Sequence, residues 1–119
     1  EKNMGQLNTL NGQQEAGLYE MKSLSKMKLL ATHASEAMKA FVAFDKAALA
    51  EGAIPGKYKE LIALGVAFTT QCPYCIELHA NKAREWGASE PELAECVLVA
   101  AALRAGGAVT HGTHAMQEM

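Results

Sequence analysis

The segment that most narrows the possible folds begins at Ser89. Ser89-Glu-Pro-Glu92 has the form of a capping box, with Ser at the N-cap, Glu three residues on, and Pro91 in the first turn. Behind it, Glu95 is followed by Cys-Val-Leu-Val-Ala-Ala-Ala-Leu before the next charge, Arg104. The pattern predicts a helix from this cap to about Ala105, ended by Gly106-Gly107. A helix that is apolar nearly all round must be covered on all sides. A chain of 119 residues is one domain's worth and cannot easily enclose it alone, so a homo-oligomer is expected. The longest apolar runs fall well short of the roughly 18–20 residues that cross a bilayer, so no membrane span is expected.

The rest of the chain reads as helical too. Ala occupies 22 positions and aromatics only 6%, which suits close-packed helices better than sheets. Glu1 to Ala16 reads as a polar arm, and residues 17–119 as a single helical domain. Helical patterning starts near Gly17 and runs to about Leu30. A second helix spans about Thr32 or Ser35 to Ala50, with Ala37, Met38, Phe41, Val42 and Phe44 at helical steps. Glu51-Gly-Ala-Ile-Pro-Gly56 is a turn. A third helix follows over Gly56 to Thr70, and a fourth opens at Cys72-Pro73 and stops at Gly87. Ala108 to Met119 is predicted to be a short separate helix with His111 and His114 near its start.

Charge excludes one class of partner. Eleven basic and thirteen acidic residues give a net charge of −2, which supplies no electrostatic case for nucleic acid. Glu1 to Gly12 shows no basic segment followed by an apolar one, so no secretory signal is expected. Three cysteines, an odd number, argue against a disulfide-stapled secreted domain and for the cytoplasm.

Cys72 and Cys75 form a C-x-x-C pair, with Glu60 twelve residues before and His79 four after Cys75. With Cys72 at a helix mouth, Cys75 is one turn in and His79 is on its face at i+4. An imidazole above a thiol can take its proton and return it, as a thiolate nucleophile requires near neutral pH. The second Cys can capture a sulfenic acid or mixed disulfide. Glu60, on the preceding helix, can orient the imidazole or shuttle a proton if the two helices form a hairpin. A zinc half-site is the competing reading, but the remaining histidines, His111 and His114, are spaced H-x2-H rather than the usual H-x3–5-H, so redox chemistry is favoured. Taken alone, Glu60 is a solvated helix charge with Lys57 or Lys59 as neighbour. Cys96 is expected to be a buried apolar residue, Trp86 a packing residue, and His33 has no assigned role.

The stretch E-x11-C-P-Y-C-I-E-L-H, with the Gly87 stop, the Ser89-capped helix and Gly106-Gly107, resembles the AhpD-like, carboxymuconolactone decarboxylase superfamily. The likeness covers roughly Ile54 to Met116. It implies an all-α, AhpD-like helical bundle assembled as trimers or hexamers. It also implies a peroxidase or disulfide reductase acting through the dithiol with no cofactor or metal. An alkyl hydroperoxide or disulfide would be the substrate, and a protein or small thiol the electron donor. By this analogy Cys75 attacks, Cys72 resolves, and Glu60 and His79 relay the proton; the helix dipole favours Cys72 instead. Tyr74 stands where AhpD peroxidases carry a His, and it and His111 are candidates to support the four site residues from behind. The alternatives are a lyase acting on a small lactone, or a redox-sensing oligomer without turnover.

Overall fold

The computed structural model describes residues 21–118, and every element among them is helical. The expected arm over Glu1 to Ala16, and the helix start at Gly17, lie outside the described residues. Two units divide the chain, one up to Ala50 and one from Glu51 onward.

In the first unit, a 3-10 turn over Met21–Lys26 leads into α1 (Met27–His33). The helix expected to reach Leu30 thus begins as a tighter coil and continues three residues further. Ala34, at φ −140° and ψ 60°, breaks the chain before α2 (Ser35–Leu49), which packs against α1. Phe41, Val42 and Phe44 of α2 are exposed, so the apolar side legible in the sequence is not covered there.

The second unit consists of α3 (Gly56–Thr70), α4 (Pro73–Glu85) and α5 (Glu90–Gly112), with a closing 3-10 turn over Thr113–Ala115. α3 packs against both α4 and α5. Their common core is Leu64, Ala83, Ala88 and Leu93, flanked by Phe68, Ile76 and Cys96. Small residues at Ala83 and Ala88 let the helices approach closely. Trp86 closes the other end: a Cβ added to Gly56 would lie 2.6 Å from its ring. Trp86 is therefore a packing residue, and only glycine fits opposite it.

Each boundary has a local cause. α4 ends in a Schellman arrangement, with Ala88 N–H on the Ala83 carbonyl at 2.9 Å, Gly87 N–H on that of Arg84 at 2.9 Å, and Gly87 at φ +94°. The predicted capping box is present: Ser89 Oγ accepts the Glu92 N–H at 3.2 Å, and Glu92 Oε1 accepts the Ser89 N–H at 2.8 Å.

The predicted end of α5 is corrected. The helix continues through Gly106-Gly107 to Gly112, so Ala108 to Met119 is not a separate helix. His111 falls in its last turn and His114 in the 3-10 turn. Each glycine costs a helix only about 1 kcal/mol, and neither takes the left-handed conformation that would turn the chain. The unbroken stretch Glu90–Ala115 is consequently long and apolar enough to cross a membrane by length and composition, which the shorter predicted helix was not. From Ala101 on, every α5 residue is exposed, with Leu103 at 70% and Val109 at 73%.

Candidate functional site

The site lies where α3 hands the chain to α4. α3 stops because Gln71 adopts a left-handed backbone, φ 58° and ψ 48°, with its N–H on the Ala67 carbonyl. A non-glycine residue there costs about 1 kcal/mol, and among the described residues Gln71 is the only one. Pro73 then disfavours a helical backbone at Cys72, which is extended at φ −99° and ψ 103°. That is N-cap geometry, and the side chain fills the role: Cys72 Sγ accepts the Cys75 N–H at 3.3 Å. A helix N-terminus favours negative charge placed on it. The sequence Gln-Cys-Pro thus puts one thiol on the first amides of α4 and the second one turn inside. Both are half-buried, and neither is in a disulfide among the described residues.

Deeper in the hairpin lies the polar pair. Glu60, one turn into α3, is 4% exposed. Its Oε1 stands 2.6 Å from Nδ1 of His79, one turn beyond Cys75 on α4. Against an ionised Glu60, Nδ1–H donates, which leaves Nε2 as the acceptor. The carboxylate fixes the ring's tautomer and orientation. Glu60 is therefore no solvated helix charge, and neither lysine proposed as its neighbour is the partner found. Lys57 instead pairs with Glu92 at 3.0 Å, which raises the lysine's pKa. Glu92 titrates below the usual carboxylate range, chiefly through its bond from the Ser89 backbone and then through Lys57.

The structure thus brings Glu60 and His79 into direct contact, and Cys72 and Cys75 onto the first turn of the helix that carries His79. Tyr74, between the two cysteines, is half-buried. His111 is not part of this group. Its ring lies edge-on to that of His114, with centroids 5.9 Å apart, and no contact joins it to these residues among those described. Among the described residues no three His, Cys, Asp or Glu side chains are grouped to hold a metal ion. Cys96 is a separate thiol, partly rather than fully buried. Its Sγ donates to the Leu61 carbonyl at 3.2 Å, and burial pushes its pKa up.

Two features of the site were not read from the sequence. One is the left-handed Gln71, since no Gly or Asn marks the position. The other is Arg104, whose Nη1 donates to the Thr69 carbonyl at 2.5 Å. The solitary charge in an apolar run was its only signal.

Residues 35–118 match the model of the carboxymuconolactone decarboxylase family, a span that holds the thiols, Glu60 and His79. The chain belongs to this family. Other proteins resemble the chain in sequence or in fold. A protein of the cox locus of Paracoccus denitrificans, described as uncharacterized, is 46% identical over 77 residues, 65% of this chain and 69% of that one. An uncharacterized protein of Cupriavidus necator is 31% identical over 80 residues, 67% and 71% of the two chains. The crystal structure of a family member from Legionella pneumophila superposes with a TM-score of 0.66 at 28% identity, covering 75% of this chain and 80% of that one. A structure from Methanobacterium thermoautotrophicum gives a TM-score of 0.66 at 34% identity, over 70% and 93%.

Proposed function

We propose that this family member is a thiol oxidoreductase that reduces alkyl hydroperoxides or disulfides through Cys72 and Cys75, with Glu60 and His79 as its proton relay. The observation that carries this reading is the 2.6 Å pair of buried Glu60 and His79, one helical turn from a C-x-x-C at a helix mouth. In the peroxide reaction a thiolate attacks one peroxide oxygen and the O–O bond breaks. The alcohol leaves with a proton delivered through His79, and the attacking cysteine becomes a sulfenic acid. The other thiol attacks that sulfur and releases water, so two electrons pass from the dithiol to the peroxide. A thiol donor, protein or low-molecular-weight, returns the disulfide to the dithiol. The chemistry needs no organic cofactor or metal, and free thiols suit a reducing, cytoplasmic setting.

The uncovered half of α5 supports assembly as a homo-oligomer, with subunits covering Leu103 and Val109, and the family likeness suggests a trimer or hexamer. We favour this over a bilayer because Arg104 would sit near mid-membrane, where it costs about 2.5–3.5 kcal/mol. Light scattering of the purified chain tests this: a single defined oligomer is expected, and a monomer at all concentrations overturns it.

The deciding experiment assays the reduced protein against peroxides and disulfides with dithiol donors, beside single Cys→Ser variants. Turnover that disappears in both variants is expected. Turnover on a lactone that survives the double Cys→Ser substitution would overturn the redox reading in favour of a lyase. A change of oligomer size between reductant and oxidant, without turnover, would favour a redox sensor.

A further inference from the structure

A small notch whose lining reaches Gln71, the residue before Cys72, carries a single charge. A cavity of about 290 Å³ opens where the end of α3 meets the middle of α5. Phe68, Val97 and Ala101 give it apolar walls, and Thr69 and Gln71, at the end of α3, complete its edge. Its one charged lining residue is Arg104, and no carboxylate lines it. Arg104 is also the only basic Lys or Arg on α5. Its guanidinium is exposed and makes one hydrogen bond, to the Thr69 carbonyl, among the described residues. That bond uses one N–H of a planar fork with five, so the fork is anchored while other donors stay available. Gln71, on the notch wall, directly precedes Cys72, so the two Cα atoms are about 3.8 Å apart. The left-handed turn at Gln71 keeps the notch and the first turn of α4 together.

We infer that Arg104 is a specificity residue that receives a carboxylate of the substrate while the substrate's reacting sulfur or oxygen meets the Cys72–Cys75 pair. This rests on the dithiol reading above and names its substrate class: small carboxylate-bearing disulfides or hydroperoxides. For a disulfide, one protein thiolate attacks a substrate sulfur, the substrate S–S bond breaks, and one substrate thiolate leaves. The second protein thiol then displaces the other half. The substrate ends as two thiols and the protein as the Cys72–Cys75 disulfide, a transfer of two electrons that one reduced protein molecule completes without a donor.

The test uses the full reduced chain in single turnover, following loss of protein thiols at neutral pH. Three disulfides of similar size are compared: 3,3′-dithiodipropionate, bis(2-hydroxyethyl) disulfide and cystamine, carrying negative, no and positive charge. Each rate is divided by that of the same disulfide with free dithiothreitol. The wild-type chain is expected to prefer the dianion over the neutral compound by about fivefold, as one exposed charge pair provides. Arg104→Gln is expected to remove that preference, Arg104→Lys to keep part of it, and added salt to compress it in the wild type. A wild type with no preference, or a preference that survives Arg104→Gln, overturns the inference while leaving the dithiol chemistry intact. No reaction with any of the three overturns the dithiol reading, and the inference with it.

Discussion

The α3–α4 hairpin and the far half of α5 are built from similar residues and meet opposite fates. Leu64 in the hairpin is 1% exposed, whereas Leu103 on α5 is 70% exposed. The hairpin is buried because α3 and α4 share a core with the first turns of α5, where Leu93 and Cys96 pack against Leu64 and Ala83. It even holds a carboxylate in that core, since Glu60 has His79 to satisfy it. In the far half of α5, Arg104 reaches back to the Thr69 carbonyl of α3, and every α5 residue from Ala101 on is exposed. One region holds the dithiol and its polar pair, and the other leaves most of its apolar surface exposed.

The strongest test of the hairpin removes the group that satisfies its buried charge. His79→Ala is expected to destabilise the fold by about 3–5 kcal/mol in denaturant titration, because Glu60 stays buried without its partner. Glu60→Gln keeps the shape and removes the charge, so it is expected to fold while reduction slows by about 10²-fold or more. A Glu60→Gln protein of unchanged rate would reduce the pair to a structural role. Packing at the hairpin's other end is next in size. Gly56→Ala puts a methyl group 2.6–2.8 Å from the Trp86 ring and is expected to cost about 1–3 kcal/mol. In α5, Ser89→Ala removes one half of the capping box, for a loss of about 1 kcal/mol.

Glu92 adds a pH dependence to that cap. Its folded pKa is depressed, so its contribution is present above the ordinary carboxylate value and is lost as pH falls through the folded one. Glu92→Gln is expected to flatten the acid limb of the stability curve below about pH 4.5. The smallest effect belongs to the exposed half. Nothing lies within 4 Å of a Cβ added at Gly106 or Gly107, so Ala at either position is expected to stabilise by about 0.5–1 kcal/mol. Destabilisation instead would mean that a neighbouring subunit's backbone approaches there. The thiols differ in the same way as the regions. Cys96 bonds to the Leu61 carbonyl and has a raised pKa, so alkylation at neutral pH is expected to modify Cys72 and Cys75 first.

Much of this was legible in the residues, wherever the cause was local. The Ser89 capping box, Pro73 behind an N-cap Cys72 and Gly87 at a helix end each act within one turn of chain. Spacing alone put His79 on the face of Cys75, and α3 begins and ends at the residues expected. Its place in the spacing with Cys72, Cys75 and His79 raised Glu60 above an ordinary surface charge. Tertiary structure decided whatever depended on a neighbour. It buried Glu60 against His79, took Lys57 away to Glu92 and anchored Arg104 on Thr69. α5 runs on through Gly106-Gly107 for a local reason, since a glycine pair weakens a helix without turning it. Sequence settles an element when the forces act within a few residues, and packing settles the rest because the contacting groups meet only after the helices have docked.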